Sequence, residues 1–189
     1  MKLHIKNMVC NRCIKVVREE LEKLGVDIDS IELGEVETRV DLQPGQIEQV
    51  KSVLEENGFE LIEDKRAKTI EKLKNYIITI IHHSEEDLEL DANYSELISK
   101  ELEMDYTYLT SLFSSMEGIT IEHYIILQKI EKAKELLKYG EFTLSEIAWR
   151  LGYSSVAHLS SQFKKVTGMT ASKFKSLTVN NRKPLDEVK

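Results

Sequence analysis

The sequence predicts two domains, an α+β domain followed by an all-helical one. Up to about residue 64, short apolar runs switch between a period of two and a helical period; from about residue 65 only the helical period recurs. Two prolines and eight glycines in 189 residues leave long stretches rich in Leu, Ile, Glu and Lys, residues that favour helix. No apolar run approaches the roughly 20 residues of a membrane span.

In the first part, Leu3 and Ile5 alternate with polar neighbours over residues 2–7, as in a half-buried strand. Ile14, Val17, Leu21 and Leu24 then follow helical spacing until Gly25 stops the run. Strand-like residues 26–33 and 36–42 flank Gly34. Pro44-Gly45 opens a second helix, with Ile47, Val50, Val53 and Leu54 on one face, and residues 59–62 form a last short strand. The order β-α-β-β-α-β is the split βαβ arrangement of ferredoxin-like domains.

A short polar linker, Glu63-Asp64-Lys65-Arg66, leads into a helix from about residue 67 to 81 with Ile70, Leu73 and Ile77 on one stripe. Six more helices are expected near residues 95–102, 107–115, 121–138, 143–151, 155–166 and 170–177. The expected divisions are 1–64, 65–178 and a polar, frayed tail 179–189. The acidic run 85–91 reads as a solvated loop, and His82-His83 as a solvated helix end. His123 and His158 read as structural or surface residues.

A net charge of −7 disfavours nucleic acid when taken as a total. Its distribution says otherwise. Residues 1–64 carry 8 bases and 15 acids, and residues 84–123 one base, Lys100, against 11 acids. Residues 140–183 carry 7 bases and 2 acids, so a basic surface belongs to the C-terminal end. The N-terminus has no apolar leader, and a cytoplasmic location is the expectation.

Both cysteines, Cys10 and Cys13, stand in one CxxC where the first strand passes into the first helix. In a reducing compartment this spacing suggests a metal pair or a redox pair. The positive end of the helix dipole favours thiolates there, and Arg12 adds to it. Two thiolates without another evident ligand suit a soft, low-coordinate cation such as Cu(I). Zinc, normally four-coordinate, needs further donors or a second molecule. On Met8, Cys10 and Cys13 in this strand–helix setting, residues 1–63 resemble a heavy-metal-associated domain, with Asn7 where that family usually has glycine and Gly58-Phe59 where it has Gly-Tyr. The resemblance implies that Cys10 and Cys13 bind metal and that Met8 packs beneath the loop. A thioredoxin-like thiol enzyme fits neither the strand order nor the size.

Further on, Leu144, Ile147, Ala148 and Leu151 make the inner face of a short helix, and Gly152 allows a tight turn. Ser154 or Ser155 can cap the next helix, which Leu159 and Phe163 pin inward while its other face stays free for a major groove. Together with Lys164-Lys165, Gly168 and Phe174, and upstream Tyr108-Leu109, Leu112-Phe113, Gly118, Tyr124, Ala133 and Leu136-Leu137, residues 92–177 resemble the AraC/XylS family. The resemblance implies two helix-turn-helix units that bind promoter DNA. Base-facing positions would be Thr107, Thr110 and Ser111 in the first unit and Val156, Ala157, His158, Ser161 and Gln162 in the second. Phosphate contacts would come from Lys164, Lys165 and Lys173. Ser111 and Ser161 replace arginines common in the family, Lys129 replaces another and Ala171 a proline, so the bidentate guanine contact is missing.

The function expected is a metal-responsive DNA-binding regulator, with Cu(I) as the first choice of metal and Zn(II) or another soft metal as the second. Its partners would be promoter DNA and the metal ion, with a metal-bridged dimer of two CxxC loops one available assembly. The alternatives are a metal chaperone or buffer with a helical domain that no longer binds DNA, and a CxxC redox sensor. Nothing resembles a catalytic acid–base pair, a triad or a phosphate loop, so no enzyme is expected.

Overall fold

The alternation of residues 2–6 becomes strand β1 (Lys2–Lys6), and helix α1 (Asn11–Lys23) follows the cysteine loop. Strands β2 (Ile28–Glu32) and β3 (Glu35–Thr38), helix α2 (Pro44–Glu56) and strand β4 (Glu60–Ile62) complete the order βαββαβ. These observations come from a computed structural model that describes residues 1–84, 93–176 and 183–188. The acidic run 85–91 lies outside the described residues.

The four strands form one antiparallel sheet in the order β2-β3-β1-β4, with Leu3 opposite Val36 and Ile5 opposite Leu61. Leu3, Ile5 and Val36 point to one face, where Val17 and Leu21 of α1 and Val50 and Leu54 of α2 close a core that also takes in Met8. Strand β3 ends at Thr38, short of the expected residue 42. The Thr38 hydroxyl donates to the Val40 carbonyl at 2.7 Å, which turns the chain out of the ladder toward Pro44.

Only two residues separate β4 from helix α3 (Lys65–Ile78), because the Asp64 carboxylate accepts from the N–H groups of Arg66 and Ala67. The expected linker is corrected: Lys65 and Arg66 are helical. The chain divides into two compact units, Met1–Asn75 and Tyr76–Lys189, with the division inside α3. Within the first unit, Lys72 pairs with Glu35 at 2.9 Å and the Asn7 N–H donates to Glu71 at 3.2 Å. Lys2 also pairs with Glu35, and the two ammonium groups outweigh the burial that would raise its carboxyl, holding it down at about 2.

A π-helical turn (Thr79–His83) follows. The second unit continues through α4 (Tyr94–Leu102), α5 (Tyr106–Glu117), α6 (Ile121–Tyr139), α7 (Leu144–Arg150), α8 (Val156–Thr167) and α9 (Ala171–Ser176). The expected helices are all present, and side-chain caps set the starts of all six from α4 to α9: Asn93 and Thr170 accept the N–H groups of Glu96 and Lys173. Asp105, Thr120, Thr143 and Ser155 each accept the N–H three residues on.

Two of the expectations for this unit are corrected. His82 is not a solvated terminus; it is partly buried and its Nε2 meets Gln128 Oε1 at 2.9 Å. Residues 183–188 of the tail are not frayed either. Leu185–Glu187 forms a short 3-10 turn, the Lys183 N–H donates to Glu131 at 3.2 Å, and Val188 is buried. Residues 179–182 lie outside the described residues.

Candidate nucleic-acid interface and thiol pair

Helices α4 and α5 form one helix-turn-helix pair and α7 and α8 another, with α6 running between them. The first turn passes through Glu103 in the left-handed region at φ 54°, the second through Gly152 at φ 65°. Glycine has no Cβ to clash in that region, whereas a glutamate is strained there. In the second pair, Ile147, Ala148 and Leu151 meet Leu159 and Phe163, and Ile130, Ala133 and Leu137 of α6 complete the core. The Phe163 and Phe174 rings stack edge to face at 5.5 Å. In the first pair, Ile98, Leu109, Leu112 and Phe113 are buried, and Phe113 tilts against Tyr124 at 5.5 Å.

Burying those side chains fixes which face of α8 is outward. Ala157, His158, Ser161, Lys164 and Lys165 are exposed along it. Val156 packs against the core, and Gln162 is half-buried and accepts from the Tyr153 hydroxyl at 2.9 Å. His158 lies edge-on to Tyr153 and its Nδ1 reaches the Ser154 hydroxyl at 3.3 Å. Of the two candidate serines, Ser155 is the cap. Lys173 and Lys175 on α9 are also exposed, so cations line the end of this pair.

On α5, Thr107 and Ser111 are exposed, while Thr110 is half-buried with its hydroxyl on the Tyr106 carbonyl at 2.8 Å. Tyr108 is 51% exposed. The Tyr106 hydroxyl donates to Glu122 at 2.7 Å; burial raises the Glu122 carboxyl, but this bond outweighs it and holds the carboxyl down. Glu103, Asp105, Glu117 and Glu122 lie on or beside α5 with no Lys or Arg from residue 101 to 128, so its surroundings are anionic, whereas α8 and α9 carry exposed lysines.

Thr143 and Glu146 form a capping box, each side chain bonding the other residue's N–H. The T-x-x-E spacing is the signal that identifies it in the sequence.

In the first unit, Cys10 is the residue before α1 and Cys13 lies in its first turn. Their sulfurs are 3.5 Å apart, both are free thiols, and both are half-buried. Burial pushes the Cys10 thiol up, but hydrogen bonds from Cys13 and Arg12 outweigh it and hold the thiol below its ordinary value. Burial pushes the Cys13 thiol up, and the neighbouring Cys10 adds to this. Of the two, Cys10 is the sulfur that gives up its proton more readily. Met8 is fully buried in the core of this unit. Asn7 adopts φ 71° and its side chain donates to the Gly58 carbonyl at 3.0 Å. Asparagine tolerates the left-handed region better than most residues, which accounts for its presence at a position where glycine is the simpler choice. Among the described residues no group of three or more His, Cys, Asp or Glu side chains is placed to hold a metal. No helix among them is long and apolar enough to cross a membrane.

Residues 98–176 match the family described as helix-turn-helix domain. The chain is 26% identical over 169 residues to the uncharacterized HTH-type transcriptional regulator YtdP of Bacillus subtilis, covering 87% of this chain and 21% of that protein. It is 27% identical over 132 residues to the Msm operon regulatory protein of Streptococcus mutans, covering 69% and 45%. It thus spans less than half the length of either relative. Among solved structures, the C-terminal domain of AraT, a response regulator from Geobacillus stearothermophilus, aligns with a TM-score of 0.52 at 23% identity, over 64% of this chain and 94% of that one. That likeness shows the fold. Residues 98–176 form a helix-turn-helix domain.

Proposed function

We propose that the chain is a DNA-binding transcriptional regulator whose first unit responds to a soft metal, Cu(I) foremost. The observation that carries the DNA part is the outward face of α8, with Ala157, His158 and Ser161 open to a groove and Lys164 and Lys165 at its end. Lys173 on α9 extends the cationic edge. The anionic surroundings of α5 make Thr107, Thr110 and Ser111 the weaker contacts, since phosphate is repelled there. The second pair is the anchor in this reading.

For the first unit, the βαββαβ order and the sheet order β2-β3-β1-β4 support a ferredoxin-like, heavy-metal-associated domain. Cys10 and Cys13 would hold the metal, and two adjacent sulfurs with a depressed thiol suit a soft two-coordinate cation. Held by Cys10 and Cys13, the metal would supply a positive charge beside the two sulfurs. The same pair favours a second reading, a redox sensor in which the Cys10 thiolate is the first sulfur oxidised.

The DNA assignment is tested by measuring affinity for the DNA upstream of the coding region across a salt series. Lys164→Ala and Lys165→Ala together should weaken binding uniformly across sequences and reduce the salt slope by about 2. An unchanged slope would remove both lysines from the interface.

A further inference from the structure

Between the two helix-turn-helix pairs lies a cleft of about 490 Å³ whose walls come from α4, α5, α6 and the α7–α8 turn. Tyr94, Tyr106, Ile125, Ile126 and Tyr153 supply mostly apolar surface, and Lys129 of α6 projects among them. Its ammonium lies 5.0 Å from the Tyr94 ring centroid and 5.4 Å from that of Tyr153, both within cation–π range. No carboxylate among the described residues forms an ion pair with it. Glu122, on the same cleft, is engaged by the Tyr106 hydroxyl. The Tyr94 hydroxyl is buried and has no hydrogen-bond partner among the described residues.

We propose that this cleft binds a small organic carboxylate with a ring-sized apolar body, its anionic end on Lys129 and the Tyr94 hydroxyl. A cation held between aromatic faces with no ion-pair partner among the described residues, beside a hydroxyl that has no partner there either, is short of one anionic acceptor. The volume falls within the range of small-molecule sites and exceeds what an inorganic anion fills. The apolar walls favour a hydrophobic body over a hydrated one. A duplex phosphate is the poorer occupant, because phosphates approach exposed cations on convex surfaces and not a lysine inside an apolar cleft. Burial lowers the Lys129 ammonium to about 8, and an anion seated beside it opposes that shift. His158 and Gln162 of α8 form part of the same wall, so the ligand would touch the helix assigned above to DNA. The binding itself does not depend on that assignment.

The test uses the full chain with tyrosine ring carbons labelled and titrates phenylacetate, phenylacetamide and inorganic phosphate separately by NMR. Phenylacetate should shift the Tyr94 and Tyr153 resonances with a millimolar or lower Kd, and the neutral amide should bind about tenfold or more weakly. Lys129→Met should lose phenylacetate binding by a similar factor with unchanged thermal unfolding, and Lys129→Arg should keep most of it. Equal binding of acid and amide, or no shift with phenylacetate, overturns the proposal. Phosphate matching phenylacetate would reduce the cleft to a simple anion site and overturn the organic part. A Lys129→Met chain whose DNA salt slope falls by about 1, with no phenylacetate binding in the parent, would make Lys129 a DNA contact and also overturn it.

Discussion

Replacing Cys10 by serine is expected to lower Cu(I) affinity by at least about 100-fold, beyond what losing a neighbour of a ligand typically costs. A hydroxyl is a hard, neutral donor and cannot replace a thiolate on a soft cation. Cys10 is the sulfur whose thiol is held down, so its loss removes the donor that deprotonates more readily. Cys13→Ser should behave similarly, since one thiolate alone makes a poor site. Competition against a chromophoric Cu(I) chelator at fixed pH measures the change. Thermal unfolding should hardly move, because both cysteines are only half-buried. Equal chelator competition by parent and variant would detach the metal from this pair.

The second large effect concerns acid stability. Burial is the main reason the His82 imidazole is depressed from 6.5 to about 4, and Lys132 nearby adds to it. In the unfolded chain the imidazole takes up its proton near pH 6.5, whereas the folded chain refuses it until about pH 4. The unfolded state therefore binds more protons in that window, and folding becomes less favourable as pH falls. The stability contributed by neutral His82 is complete above pH 6.5 and lost as pH drops through about 4. The shift corresponds to up to about 3 kcal/mol. Urea unfolding of the parent and His82→Gln at several pH values checks it. The parent should lose stability steeply between pH 6.5 and 4.5, and the variant's curve should be flatter. Parallel curves would mean that His82 is solvated after all.

The helices of the second unit were legible because each pairs an apolar stripe with a capping residue and a stop. Leu159 and Phe163 face inward four apart, Ser155 opens their helix and Gly168 closes it at φ 75°. The strand order of the first unit was readable for a similar reason, from alternation and turn residues around Gly34 and Gly58. What escaped depends on contacts between distant positions. The π-helical turn at Thr79–His83 and the burial of His82 rest on Gln128, far along the chain. The docking of Leu185 and Val188 depends on α6, where Gln128 reaches the Leu185 carbonyl. The same holds for the Lys129 cleft. Tyr94 and Tyr153 belong to different helix-turn-helix pairs, and only folding brings both rings to one ammonium. Periodicity reports which face of an element is buried, not which element covers it.

The acidic total charge also proved a poor guide on its own. The excess of acid lies in the first unit and around α5, while α8 and α9 present Lys164, Lys165, Lys173 and Lys175 outward. A chain of net charge −7 can therefore carry a local cationic edge.

A metal at Cys10 and Cys13 can regulate only if it binds the DNA-competent and incompetent states unequally, and such coupling typically amounts to about 5- to 150-fold. The most direct measurement is the affinity of the full chain for its upstream DNA, at one fixed salt concentration, with and without one equivalent of Cu(I). The prediction is a change in Kd of at least about fivefold in the parent and none in Cys10→Ser. Stoichiometric Cu(I) binding with an unchanged Kd would contradict a metal-responsive regulator.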